Sequence, residues 1–127
     1  IDWASGHLAL SGSWLPAPDQ PVRVAVDPTG KYVYAIDQLW DRMFGYMIDA
    51  QTGALTGIFN SPFATGDCPV DIAFDPEGKF AYITNMASGN VSAHAINPAT
   101  GVLTPLGRSP FPVATGITDI AIVKITY

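Results

Sequence analysis

The sequence predicts an all-β protein built of four-stranded antiparallel units in tandem, and three observations carry that expectation. The chain repeats itself at an offset of 48 residues. Pro21-Val22-Arg23-Val24-Ala25-Val26-Asp27-Pro28-Thr29-Gly30-Lys31-Tyr32 aligns with Pro69-Val70-Asp71-Ile72-Ala73-Phe74-Asp75-Pro76-Glu77-Gly78-Lys79-Phe80. The same shift carries Thr52-Gly53-Ala54-Leu55-Thr56 onto Thr100-Gly101-Val102-Leu103-Thr104, and Ser61-Pro62-Phe63 onto Ser109-Pro110-Phe111. Repetition at such a period marks stacked supersecondary units, each burying its apolar face against the next. Second, 12 glycines and 11 prolines among 127 residues are too many breakers for a helical bundle. Third, no stretch sustains a 3.6-residue apolar period, so almost no helix is expected.

The elements follow in order. In the second unit the strand-like segments are 70–74, 80–84, 91–96 and a last one near 103–106, rich in the β-branched and aromatic residues that suit a pleated surface. Asp27-Pro28-Thr29-Gly30 and Asp75-Pro76-Glu77-Gly78 supply tight hairpins between the first two strands. Proline presets φ, aspartate bonds the following amides and glycine takes positive φ. Thr52-Gly53 and Thr100-Gly101 close the hairpins between the last two strands. Such a unit in tandem is the sequence form of a β-propeller blade. Ala25, Ala73 and Ala121 share one position in the innermost strand, where small side chains suit the crowded axis. The expected layout is one partial β-propeller domain: 1–20 the end of a blade, 21–68 and 69–116 full blades, and 117–127 the inner strand of a closing blade.

Composition narrows the function classes. A hydrophobic fraction of 48% with 13% charged residues excludes disorder. A net charge of −5 argues against a nucleic-acid partner, whose phosphates demand a Lys/Arg surface. No apolar run approaches the roughly 20 residues of a membrane helix. One cysteine, Cys68, permits no internal disulfide, and two separated histidines, His7 and His94, build no metal cluster. No cofactor and no metal are expected.

The pattern Asp-Pro-x-Gly-Lys-aromatic-x-Tyr, followed by Tyr82-Ile83-Thr84-Asn85, Thr-Gly-x-Leu-Thr and Ser-Pro-Phe, resembles the repeats of lactonase-type propellers. That group includes the seven-bladed bacterial 6-phosphogluconolactonases and the YVTN-repeat proteins. The resemblance implies about two and a half blades of a seven-bladed ring, forming the C-terminal part of a longer propeller. Its partners would be the remaining blades, or copies or partner chains covering the open blade edges. The activity it implies is hydrolysis of a sugar lactone.

Chemistry is sought on the rim where the loops differ between units. Asp37-Gln38-Leu39-Trp40-Asp41-Arg42 stands where the second unit has Asn85-Met86-Ala87-Ser88-Gly89-Asn90. Trp40 and Arg42 can offer an aromatic platform and a guanidinium to a sugar or carboxylate, but burial of Trp40 against a neighbouring blade is the favoured expectation. Arg23, Asp71 and Asp119 share one position near the channel mouth, and opposite charges in adjacent blades predict an Arg23–Asp71 pair. Arg23 or Arg42 can stabilise an oxyanion. Asp37, Asp67 or Asp71 can serve as base, although no motif singles one out, and no catalytic residue is assigned. His94 aligns with Tyr46 and is expected to pack between blades. Two functions stay open: a binding or scaffold module with an extracytoplasmic site favoured, and a lactone hydrolase. Because the segment is acidic, the first is preferred.

Overall fold

A computed structural model of the chain describes residues 16–113. Among these residues ten strands form two antiparallel sheets. The first sheet holds β1 (Pro21–Val26), β2 (Tyr32–Asp37), β3 (Arg42–Ile48), β4 (Leu55–Gly57) and β5 (Phe63–Ala64). The second repeats it with β6 (Pro69–Phe74), β7 (Phe80–Asn85), β8 (Asn90–Ile96), β9 (Leu103–Pro105) and β10 (Phe111–Pro112). Each sheet runs in sequence order, and the inner strands β1 and β6 lie beside one another. These are two propeller blades, and no helix occurs among the described residues. Asp119, His7 and the closing strand at 117–127 lie outside them.

The hairpins form for the reasons the sequence offers. The Asp27 carboxylate is buried and accepts the amides of Thr29, Lys31 and Tyr32, while Gly30 sits at φ 76. Asp75 does the same for Glu77, Lys79 and Phe80, with Gly78 at φ 72. One element differs from expectation. The outermost strand is split in both blades: β9 and β10, like β4 and β5, pair separately with the third strand. Proline in the Ser-Pro-Phe motif has no N–H to continue a ladder. The serine fills the gap, because the Gly45 amide donates to Ser61 Oγ at 2.9 Å and the Ala93 amide to Ser109 Oγ at 2.9 Å.

The core lies between the blades. Tyr34, Ile36 and Met43 on one face of the first sheet pack with Ile58 and Phe63 against Ile72, Ala81, Ile83, Ile96 and Leu103. Tyr32 and Tyr34 extend hydroxyls into the second blade and donate to the carbonyls of Pro98 (2.8 Å) and Gly101 (2.7 Å). A buried tyrosine needs such a partner, and these two tie the blades together. Val33, Phe44 and Tyr46 form a second cluster on the opposite face of the first sheet. There Val22, Val24 and Val26 are exposed among the described residues, whereas Ile72, the counterpart of Val24, is buried.

Candidate functional site

Strand register gathers the variable segments on one rim. Pro21 pairs with Asp37, and Asp37 with Arg42, so the start of β1, the end of β2 and the start of β3 share an end of the first sheet. Pro69, Asn85 and Asn90 do the same in the second sheet. Both inner strands carry a bulge there, between Pro21 and Arg23 and between Pro69 and Asp71. A bulge re-aims the side chain that follows it.

The expected ion pair forms at these re-aimed positions: Arg23 Nε lies 3.0 Å from Asp71 Oδ1. The Arg23 side chain is 55% exposed, whereas that of Asp71 is 8% exposed and also accepts the Ile72 amide at 2.9 Å. The buried carboxylate therefore holds the guanidinium through Nε, while more than half of the Arg23 side chain stays exposed among the described residues.

Arg42 makes three contacts within its own blade and the loop before it. Its Nε donates to Asp37 at 2.9 Å, its Nη2 lies 3.4 Å from Asp19, and its guanidinium sits 4.9 Å from the Phe44 ring centroid. Among the described residues its guanidinium is engaged by Asp37, Asp19 and the Phe44 ring. Asp37 is fully buried and accepts the amides of Asp19 (3.2 Å), Gln20 (3.3 Å) and Leu39 (3.3 Å) as well. Burial pushes its carboxyl up, but the hydrogen bonds from Arg42, Asp19 and Gln20 and the Arg42 charge outweigh it, leaving it below the usual value.

Trp40 was expected to cover a neighbouring blade, and of its two neighbours only the second blade is described. Trp40 is 60% exposed and Leu39 beside it 56%, so neither covers a neighbouring blade among the described residues. The reason lies in Asp41, which adopts φ 51, accepts the Thr65 amide on its carbonyl at 3.0 Å and the Cys68 amide on its carboxylate at 2.8 Å. The turn is pinned through Asp41, and the indole before it points outward. In the second blade Gly89 takes the left-handed position at φ 67, and Ser88, at the Trp40 position, accepts the Asp67 amide at 2.7 Å. The fold thus uses Ser88 and leaves Trp40 unengaged.

Asp19 and Asp41 were not singled out in the sequence. Alignment of Asp41 with Gly89 was the available signal, since aspartate is among the few residues that tolerate a left-handed backbone. His94 is buried as expected, its Nδ1 has no partner, and burial lowers its pKa. Cys68 is half-buried at φ 56. Among the described residues no group of three or more His, Cys, Asp and Glu is placed to hold a metal ion, and no helix is long and apolar enough to cross a membrane.

Comparison with known proteins meets this geometry. A family model described as lactonase, 7-bladed beta-propeller matches residues 9–118. No curated protein matches the chain. Among solved structures, a Bacteroides fragilis protein named as a candidate 6-phosphogluconolactonase superposes with TM-score 0.69 at 25% identity, covering 75% of this chain and 26% of its own. A similarly named Bacteroides uniformis protein gives TM-score 0.70 at 26% identity, over 86% of this chain and 32% of its own. The periplasmic gluconolactonase of Pseudomonas aeruginosa gives 0.67 at 19% identity, over 80% of this chain and 29% of its own, a likeness of fold. The chain therefore spans between a quarter and a third of the length of these relatives. With the family match covering most of its length and two blades folded as the repeat requires, the chain belongs to the lactonase family of seven-bladed β-propellers.

Proposed function

We propose that the chain is part of a β-propeller hydrolase that opens a lactone ring, with Arg23 polarising the ester carbonyl at the channel mouth. The observation that carries this reading is Arg23, paired through Nε with buried Asp71 while its side chain stays 55% exposed. Water adds to the lactone carbonyl carbon, and the carbonyl oxygen takes up negative charge. The guanidinium donates to that oxyanion. The ring C–O bond then breaks, the ring oxygen gains the proton lost by water, and a hydroxy acid leaves. The ring of blades is completed by segments or chains beyond those described, which cover the exposed Val22, Val24 and Val26 face.

The test is lactone hydrolysis by the protein and its Arg23→Ala variant. Loss of an oxyanion partner should cost about 10²–10³ in kcat, with Arg23→Lys retaining part of it. Unchanged turnover in Arg23→Ala removes this arginine from the mechanism. A second reading, a binding or scaffold module, is favoured by the ion pairing of both rim arginines and by the unengaged Trp40. It predicts no lactone turnover, and altered partner binding on changing Trp40. An extracytoplasmic site accords with the low charge content and is checked by cell fractionation.

A further inference from the structure

We infer that Thr84 is a positioning residue for this site: its hydroxyl donates to the Asp71 carboxylate and so fixes Arg23 for the lactone carbonyl. The inference rests on the lactonase reading and adds a residue to its machinery.

The first observation is an orphaned group. Thr84 is fully buried, and among the described residues its Oγ1 has no hydrogen-bond partner. A buried hydroxyl without a partner costs the fold the desolvation of that group. The blade itself does not require it. Ile36 holds the matching position in the first blade and packs in the core between the blades. An apolar side chain therefore satisfies this position, and the hydroxyl of Thr84 calls for another use.

Strand register supplies the second, independent observation. Thr84 on β7 lies directly between Asp71 on β6 and Val91 on β8. Directly paired residues share a face of the sheet, with Cβ atoms about 5 Å apart. Val91 carries no acceptor, so Asp71 is the flanking side chain that the hydroxyl can reach. Asp71 is also the residue that holds Arg23. Arg23 Nε at 3.0 Å and the Ile72 amide at 2.9 Å both meet its Oδ1. A carboxylate takes about four donors, so the hydroxyl joins these without displacing either. In the first blade the same three places read Arg23, Ile36 and Met43, an arrangement with no such donor. Bonds of this kind are often open without substrate and close in the complex. As the carbonyl oxygen gains charge it draws on the guanidinium, and Thr84 then keeps Asp71, and with it Arg23, in place. The hydroxyl keeps its proton throughout.

The experiment measures turnover of an aldono-1,5-lactone by the intact protein, by Thr84→Val, Thr84→Ser and Arg23→Ala, and by Arg23→Ala combined with Thr84→Val. Thr84→Val should lower kcat about tenfold, the worth of one hydrogen bond to a charged group, with KM little changed. Its melting temperature should stay level or rise, because an unpartnered buried hydroxyl is gone. Thr84→Ser, which keeps the hydroxyl, should retain most of the activity. On top of Arg23→Ala the loss from Thr84→Val should shrink to less than about twofold, since Thr84 acts through that arginine. An unchanged kcat in Thr84→Val, a lowered melting temperature in it, or an undiminished loss on top of Arg23→Ala overturns the inference and leaves lactone turnover standing. A protein that opens no lactone at all overturns both readings, so the two failures are told apart.

Discussion

In the first blade a carboxylate holds the entry loop, and in the second an amide occupies the same place. Asp37 accepts the amides of Asp19 and Gln20 and is countered by Arg42, whose guanidinium rests on Phe44. Asn85 accepts the Gly66 amide at 3.0 Å and donates at 2.8 Å to both Asn90 and Ser92. One residue in the loop accounts for the exchange. Pro18 stands where the second blade has Gly66, and proline has no N–H to give. The first blade must therefore be held by the next two amides, and a carboxylate with two acceptor oxygens serves two donors where an asparagine offers one. The charge then requires a counter-ion, which Arg42 provides. Gly66 in turn permits a close approach, since a Cβ there would lie 2.7 Å from Asn85 Cγ. Equivalent backbones thus reach equivalent geometry by two chemistries, and only the first is sensitive to pH.

The comparison can be broken most forcefully at a matched pair of glycines. Gly101 and Gly53 hold the same turn at φ 76 and φ 74. A Cβ on Gly101 would lie 2.6 Å from the Tyr32 ring and 2.8 Å from Ile58 of the preceding blade, whereas no described residue lies within 4 Å of a Cβ on Gly53. Gly101→Ala should cost about 3 kcal/mol or more in urea unfolding, from backbone strain plus overpacking. Gly53→Ala should cost about 1 kcal/mol from strain alone. Equal costs would deny the packing of the second blade's turn on the first.

The two latches should differ next. Arg42→Ala leaves Asp37 buried without its cation and is expected to lose about 2–3 kcal/mol. Asn90→Ala removes one neutral bond, about 1 kcal/mol. Asp37→Asn should blunt the effect of Arg42→Ala, a coupling that a double-mutant cycle reads directly. If Arg42→Ala proves as mild as Asn90→Ala, Asp37 does not depend on its arginine.

The smallest effect is in the pH profile. The Asp37 carboxyl is lowered in the folded state, so its contribution is present above the unfolded value and is lost as pH falls below about 4. His94 is also lowered, by burial, so the fold favours its neutral form. That contribution is full above about 6.5 and is lost as pH falls further. Acid unfolding should therefore show an upper component removed by His94→Tyr, the residue type at the matching position 46, and a lower one removed by Asp37→Asn. A pH profile that neither variant changes would exclude both groups as its source.

Much of this was legible because it is local or strictly repeated. The hairpin turns needed only Asp-Pro-x-Gly and Thr-Gly, whose glycines take positive φ as those turn types require. The Arg23–Asp71 pair was readable because equal positions on adjacent inner strands must lie side by side. Arg42 was read as a cation for a ligand, without its Asp37 partner, because a five-residue separation gives no hint of pairing. The register of the β2–β3 hairpin places the two directly opposite. The split outer strand was missed for a similar reason, since Ser61 and Ser109 matter through an amide on the neighbouring strand.

The amino-acid sequence by itself determined the strand type, the turns and the tandem order, since these follow from residue spacing within a few positions. Only the tertiary structure decided which of two matching residues is buried, which cation is spent on the fold, and which aromatic is left outward. Among the described residues Ile72 is enclosed by the first blade while Val24 has no described blade before it, and Ser88 is bonded while Trp40 is not. Burial and pairing belong to the neighbouring strand or blade as much as to the residue, and nearly identical repeats meet different neighbours.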